Sequence, residues 1–254
     1  MKQEKQQTVL VTGASQGIGA SVARAFAEQG YSVVLCARNL SKLEALAAEI
    51  GGHAYALDVA DGTAVTQVLD QVEREVGPID ILVSNAGVAV SATLTETTDE
   101  DWAKMLGVNL TGGFYLCRRV LPGMAERGFG RIIFIASNAG LMGYPYTSGY
   151  CASKHGTIGL MRSLAAEYAR ENLTVNAICP GFVETEMAQG AIDNIERRTG
   201  RSAEKARAAL ERLNPQRRLI QCDEVAHLAL SLGADGARGI NGQAIALDGG
   251  QVQH

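Results

Sequence analysis

A β-prone run at residues 8–12, Thr-Val-Leu-Val-Thr, passes straight into Gly13-Ala14-Ser15-Gln16-Gly17-Ile18-Gly19, and residues 20–29 then read as a helix ending at Gly30. Strand, glycine-rich turn and helix in this order leave few architectures open. The glycines permit a tight turn and close approach of backbone to a ligand, and the helix N-terminus offers unpaired N–H groups and a dipole that favour an anion. Gly13, Ser15, Gln16, Gly17, Ile18 and Gly19 are therefore the candidate seat of a dinucleotide pyrophosphate. An ordinary strand-to-helix turn is the competing explanation, and the context disfavours it.

The next units repeat the alternation of strand and helix. Residues 31–36 form a strand that ends in Ala37-Arg38-Asn39, where an acid would accept hydrogen bonds from a ribose 2′-hydroxyl and an arginine would pair with a 2′-phosphate. Arg38 therefore points to NADP(H), with NAD(H) the lesser possibility. Gln16 adds no second positive charge, and a solvated surface arginine is the plainer account of Arg38. A helix at 41–50, capped by Ser41 and stopped by Gly51-Gly52, leads to a strand at 53–57. Asp58-Val59 at its end are placed to meet the adenine. Residues 63–76 read as a helix. Residues 79–84 read as a fully apolar, buried strand of the parallel type, ending in the small residues Asn85-Ala86-Gly87.

Thr98 and the acids after it cap a helix running to about 119. Asn109 inside it is a poor mid-helix residue. Either its side chain satisfies a local backbone carbonyl, or it marks a kink that binds water and continues a proton path. A strand at 132–136 ends at Ser137, and a helix at 149–172 carries Tyr150 and Lys154 four residues apart on one face. A phenol titrates near pH 10, too high for acid–base work at neutral pH. A nearby ammonium favours the phenolate and lowers that value. The bare Tyr-x-x-x-Lys pattern equally describes a buried aromatic beside a surface lysine. Ser137 and Tyr150 are near enough across Gly140 and Gly143 to share one carbonyl oxygen. A strand at 173–178 turns at Pro180-Gly181, followed by Val183-Glu184-Thr185.

Residues 191–222 hold eight basic side chains against four acidic ones, in a chain of net charge −4. They read as two short helices around Gly200, either a solvated face with i,i+4 pairs such as Arg207–Glu211 or a mobile lid for an anionic substrate. Asp223 caps a final helix, and 240–247 end the sheet. With 254 residues, no repeat and no linker, one domain over 1–254 is expected, with a helical lid at about 186–218. Mild acidity gives no reason to expect nucleic-acid binding, and no apolar run approaches a membrane span. The polar start at 1–7 has no apolar signal core. Five scattered cysteines read as reduced thiols of a cytoplasmic protein, and the four histidines show no metal-ligand spacing.

Taken in order, the turn from Thr12 to Gly19, Asp58, Asn85-Ala86-Gly87, Asn109, Ser137, Tyr150-x-x-x-Lys154 and Pro180-Gly181 resemble the short-chain dehydrogenase/reductase family over about residues 7–250. Ser84 departs from the pattern, since many members carry a second asparagine there. The resemblance implies an α/β, doubly wound (Rossmann) parallel sheet of about seven strands with helices on both faces. It implies Tyr150 as proton donor or acceptor at the substrate oxygen, with Ser137 polarising that oxygen. It implies Lys154 lowering the Tyr150 pKa and holding the nicotinamide ribose, and Asn109 anchoring a water that links Lys154 to solvent. Val183 and Thr185 would hold the carboxamide. The family is usually a homotetramer built on the helices near 100–120 and 150–170.

Among its members the chain looks most like reductases of 3-oxoacyl thioesters and polyketides. Bacterial carrier-protein reductases place docking arginines where Gly128 and Glu171 align here, which favours a CoA ester or free ketone. Met142, Tyr144 and Tyr146 are candidates for an apolar substrate pocket, with plain loop packing equally open. An NAD-dependent dehydrogenase of a hydroxyacyl or cyclic alcohol is the rival enzyme, and a non-catalytic NADP(H)-sensing protein is the rival of another class. The intact Ser137–Tyr150–Lys154 set argues against the latter.

Overall fold

Alternate side chains of each central strand enter different cores, because successive residues of a strand face opposite sides of the sheet. Leu10, Leu82, Ile132 and Phe134 enter one core, while Val9, Val11, Ile81, Val83, Ile133 and Ile135 enter the other. Burial on both faces is what a parallel sheet covered by crossover helices requires. The computed structural model describes residues 6–253, so the polar start at residues 1–5 lies outside the described residues.

The elements run β1 (Thr8–Thr12), α1 (Gly17–Glu28), β2 (Ser32–Ala37), α2 (Leu40–Ile50), β3 (His53–Ala56), α3 (Gly62–Glu75) and β4 (Ile79–Ser84). Then come α4 (Asp99–Leu106), a π turn (Gly107–Thr111), α5 (Gly112–Arg127), β5 (Gly130–Ile135), α6 (Ser148–Glu167) and β6 (Leu173–Pro180). The chain closes with α7 (Glu186–Thr199), α8 (Ala203–Glu211), α9 (Cys222–Gly233) and β7 (Ala244–Leu247). The seven strands are parallel in the order β3-β2-β1-β4-β5-β6-β7. The expected doubly wound sheet is present. Helices α3, α5 and α6 pack on one face, and α1, α2 and α9 on the other. The winding reverses between β1 and β4, so the loops after these strands part and open a crevice.

Several local expectations are corrected. Asn39, not Ser41, caps α2: its Oδ1 accepts from the Lys42 amide at 3.1 Å, and Ser41 Oγ donates to the same oxygen. Gln221 caps α9 in a reciprocal box with Glu224, in place of Asp223. The helix expected to end near 119 continues to Arg127, and α6 stops at Glu167 rather than 172. The reading of 79–84 as apolar throughout passes over Asp80, whose carboxylate accepts from the Thr8 amide at 3.1 Å and faces Arg127 at 3.8 Å. Arg131 sits in β5 with no exposed surface. It donates to the carbonyls of Gly130 and Asn172, both at 2.9 Å, pairs with Asp235 at 3.3 Å and stacks over Phe129. Burial pulls its pKa down from the ordinary guanidinium value.

Candidate active site

The glycine turn lies flush against the end of β4. Thr12 Oγ1 accepts from the amides of Asn85 and Ala86 at 3.0 and 3.1 Å, and Asn85 Nδ2 donates to the Thr12 carbonyl at 2.9 Å. Gly13 has φ +65°, and a Cβ there would stand 2.9 Å from Ala86 Cα. A Cβ on Gly19 would come within 2.6 Å of Asn85 Nδ2. Only glycine fits either position. No side chain caps α1, which leaves its first-turn amides free for an anion. The residues present therefore fit a dinucleotide pyrophosphate.

A cleft of about 400 Å³ opens above this turn. Of the residues singled out from the sequence, Gly13, Ser15, Gln16, Gly17 and Ile18 line it, as do Arg38, Asp58 and Val59. Asn85, Ala86, Gly87, Tyr150, Lys154 and Thr185 complete the wall. Gly19 sits behind the wall. Pro180, Gly181 and Val183 are not part of it; Val183 is buried and bridges to Ile220. The sequence reading missed Asn39, Val88, Glu186 and Met187, which also line the cleft. Val88 continues the Asn85-Ala86-Gly87 run, and that adjacency was the available signal. Arg38 is exposed and has no ion pair among the described residues.

Of the candidate catalytic groups, Tyr150 and Lys154 line the cleft, whereas Ser137 and Asn109 are not part of its wall. Ser137 follows the end of β5 by two residues, and its Oγ accepts from the Ala139 amide at 3.1 Å. The loop after it is pressed onto α6, since a Cβ on Gly140 would meet the Lys154 carbonyl at 2.8 Å. The Ser137 hydroxyl is within reach of the Tyr150 phenol. Lys154 is 4% exposed, and its Nζ donates to the Ile135 carbonyl at 2.9 Å and lies 5.7 Å from the Tyr150 ring centroid. Asn109 occupies the π turn, so the expected irregularity is real. Its side-chain partners are not local: it accepts from the Val88 amide at 2.8 Å and donates to the Val88 carbonyl and Ser153 Oγ, both at 2.9 Å. Thr157 Oγ1 donates to the Asn109 carbonyl at 3.0 Å. Asn109 thus ties the loop after β4 to the helix carrying Tyr150 and Lys154.

The protonation pattern differs from the expected one. Burial lowers the Lys154 pKa to about 8, so the ammonium still predominates at neutral pH. Burial pushes the Tyr150 phenol above its ordinary value, and the Ser137 hydroxyl only partly offsets this. The lowering expected from Lys154 is absent, and desolvation sets the direction. A phenol protonated at neutral pH is suited to giving a proton to a substrate oxygen.

Tyr144 does not line the cleft. It stands edge-on to Phe182 with ring centroids 6.2 Å apart, and burial raises its phenol to about 12. Met142 is half-buried, and Tyr146 is 63% exposed with φ +66°. Helices α7 and α8 close over a small core of Ile192, Ala206, Leu210 and Leu219. Arg198 reaches Glu96 at 3.2 Å, Arg207 pairs with Glu184 and with Glu211 at 2.9 Å, and Arg218 pairs with Glu224 at 2.6 Å. These three arginines thus form ion pairs, as the solvated-face reading expects. Among the described residues no cluster of three His, Cys, Asp or Glu side chains could hold a metal, and no helix is long and apolar enough to cross a membrane.

Comparison with known proteins agrees with this geometry. The family pattern described as short chain dehydrogenase matches residues 7–196. The chain is 39% identical to a D-threitol dehydrogenase of Mycolicibacterium smegmatis, over 96% of this chain and 92% of that protein. It is 38% identical to an acetoacetyl-CoA reductase of Rhizobium meliloti, over 96% and 98%. A crystal structure of an actinorhodin polyketide ketoreductase variant with NADPH superposes with a TM-score of 0.95 at 35% identity, covering both chains completely.

Proposed function

This chain belongs to the short-chain dehydrogenase family of oxidoreductases, and on that premise we propose that it is an NADP(H)-preferring ketoreductase. Its substrate in this reading is a 3-oxoacyl CoA thioester or polyketide-like ketone, and Tyr150 is the general acid/base. The carrying observation is that Tyr150 and buried Lys154 line the same cleft as the unpaired Arg38, with the Ser137 hydroxyl beside the Tyr150 phenol. The relatives named acetoacetyl-CoA reductase and polyketide ketoreductase support the substrate class.

A nicotinamide cofactor, when bound, supplies or accepts the hydride. The chain's own residues divide the remaining work. The amides at the start of α1 hold the pyrophosphate, and Arg38 pairs with the 2′-phosphate. Asp58 and Val59 border the adenine. Thr185, which lines the cleft, holds the carboxamide, while Val183 stays in the bridge behind it. Ser137 donates a hydrogen bond to the substrate oxygen and holds it beside the phenol. Tyr150 delivers its proton to that oxygen, or takes it back in the reverse direction. The Lys154 ammonium steadies the charge left on the phenolate and holds the nicotinamide ribose. Asn109 fixes the wall behind Lys154 and anchors the water through which the proton is replaced. Helices α7 and α8 act as the substrate lid. The partly exposed Trp102 of α4 and Phe114 of α5 favour pairing of these helices between subunits of a homotetramer, and the unpaired cysteines suit the cytoplasm.

Initial rates with acetoacetyl-CoA and NADPH or NADH in parallel test the reading. Faster turnover with NADPH supports it. Turnover with NADH alone refutes the cofactor assignment. Silence on this substrate and on simple ketones, with activity on polyols or cyclic alcohols and NAD, favours the dehydrogenase alternative, which the D-threitol dehydrogenase relative keeps in view.

A further inference from the structure

Three side chains from distant parts of the chain meet at the outer end of the cleft. Gln16, just before α1, donates from Nε2 to Glu186 Oε2 at 2.7 Å. Its Oε1 accepts from Lys42 Nζ at 3.0 Å, and that ammonium also lies 3.6 Å from Glu186 Oε1. The three residues come from the glycine turn, the first turn of α2 and the first residue of α7. Gln16 and Glu186 line the cleft together with Arg38 and Asn39. Lys42 itself does not line the cleft, but its ammonium reaches Gln16 and Glu186, which do, so it stands at the rim of the same cleft. The cleft rim therefore gains a second cation and, in Glu186, a further carboxylate, where the sequence points to a single cation.

The Lys42 and Glu186 side chains are 49% and 69% exposed, and an ion pair so open to water is weak. It yields to a stronger anion. A 2′-phosphate beside Arg38 is such an anion, with up to two charges and three acceptor oxygens. A 2′-hydroxyl is not. Glu186 would repel the phosphate, whereas towards the hydroxyl it carries no charge penalty, and its oxygens are already engaged by Gln16 and Lys42.

We propose that Lys42 is a second reader of the 2′-phosphate, held in reserve by Gln16 and Glu186, and that Glu186 opposes phosphate binding at the same place. Binding of NADP(H) exchanges the Lys42–Glu186 contact for a Lys42–phosphate contact, whereas NAD(H) leaves the three side chains as they are. The first turn of α7 therefore loses one of its two tethers to the cofactor-binding half only with the phosphorylated cofactor. The Gln16–Glu186 bond remains. This inference rests on the NADP(H) reading given above.

The test is the dissociation constant of NADPH and of NADH, measured by calorimetry on the full-length protein and on the variants Lys42→Ala, Lys42→Gln, Glu186→Gln and Arg38→Ala. Loss of one charge-assisted contact to phosphate corresponds to about a tenfold change in Kd. Both Lys42 variants are expected to weaken NADPH about tenfold and to leave NADH within about twofold. Glu186→Gln is expected to tighten NADPH by about two- to fivefold, with NADH unmoved. If Arg38→Ala weakens NADPH selectively while the Lys42 variants do not, the role of Lys42 is refuted and the cofactor reading stands. If no variant, Arg38→Ala included, separates the two cofactors, the cofactor reading falls and this inference falls with it.

Discussion

Replacing Lys154 by methionine should stabilise the protein while abolishing its chemistry. The ammonium is 4% exposed, and its pKa falls from 10.5 to about 8 on folding. A tenfold loss of proton affinity corresponds to about 1.4 kcal/mol, so holding the charge in the folded state at pH 7 costs about 3 kcal/mol. Methionine keeps the length and removes the charge. It also removes the 2.9 Å hydrogen bond to the Ile135 carbonyl, a loss of about 1 kcal/mol. The net expectation is a gain of about 2 kcal/mol, or about 4–8 °C in Tm. The sign has a pH signature. Between about pH 8 and 10.5 the unfolded chain retains a proton on this lysine that the folded chain has released, so wild-type stability rises with pH in that window. The advantage of Lys154→Met should therefore be full at pH 7 and fade towards pH 10.5. Urea denaturation of both proteins across pH 7–10 measures it. A variant less stable than wild type at pH 7, or a difference that does not change with pH, would refute the reasoning.

Three further outcomes are expected. Tyr150→Phe should lower kcat about a thousandfold, within the usual range for a lost general acid, with NADPH affinity within about twofold of wild type by calorimetry. Ketone reduction by the wild type should decline above about pH 8, as Lys154 loses its proton, and a pH–rate profile flat to pH 10 would contradict this assignment. Gly19→Ala should force apart the glycine turn and Asn85, costing about 1–3 kcal/mol of stability and weakening NADPH binding at least about tenfold. Thermal unfolding and calorimetry together read both effects.

What is legible in the sequence is what short spacing encodes. The glycine turn, the Tyr150–Lys154 pair and the oddity of Asn109 each declare themselves within a few residues, because helix and strand geometry fix what neighbours at those separations do. Contacts made by long-range folding are not legible. Lys42 and Glu186 read as ordinary surface charges, and only the return of α7 over the glycine turn brings them together. Tyr144 is a natural candidate to face substrate, but Phe182 takes it to the side instead. Arg131 looks like the polar edge of a strand, yet two carbonyls, Asp235 and the Phe129 ring allow its full burial, and three of those partners lie beyond its own strand. The pKa of Tyr150 departs from the sequence expectation for a related reason. Proximity to a lysine is visible in a sequence, whereas the desolvation that opposes it depends on everything packed around the ring.

The π turn at Gly107–Thr111 makes the helical run from α4 to α5 a counting device. An α-helix advances about 100° per residue, and a π turn accommodates one surplus residue. Every side chain from Gly112 onward is thereby rephased by about one residue's rotation relative to an unbroken helix begun at Asp99. Both ends depend on that phase. Trp102 and Met105 lie beside Gly149 at the start of α6, while Gly113 lies against Phe134 of β5, where a Cβ would stand 2.9 Å from the ring. Deleting any one residue of the five would restore a regular ladder of hydrogen bonds and still misalign one end against its neighbours. The segment can therefore change its letters more readily than its length.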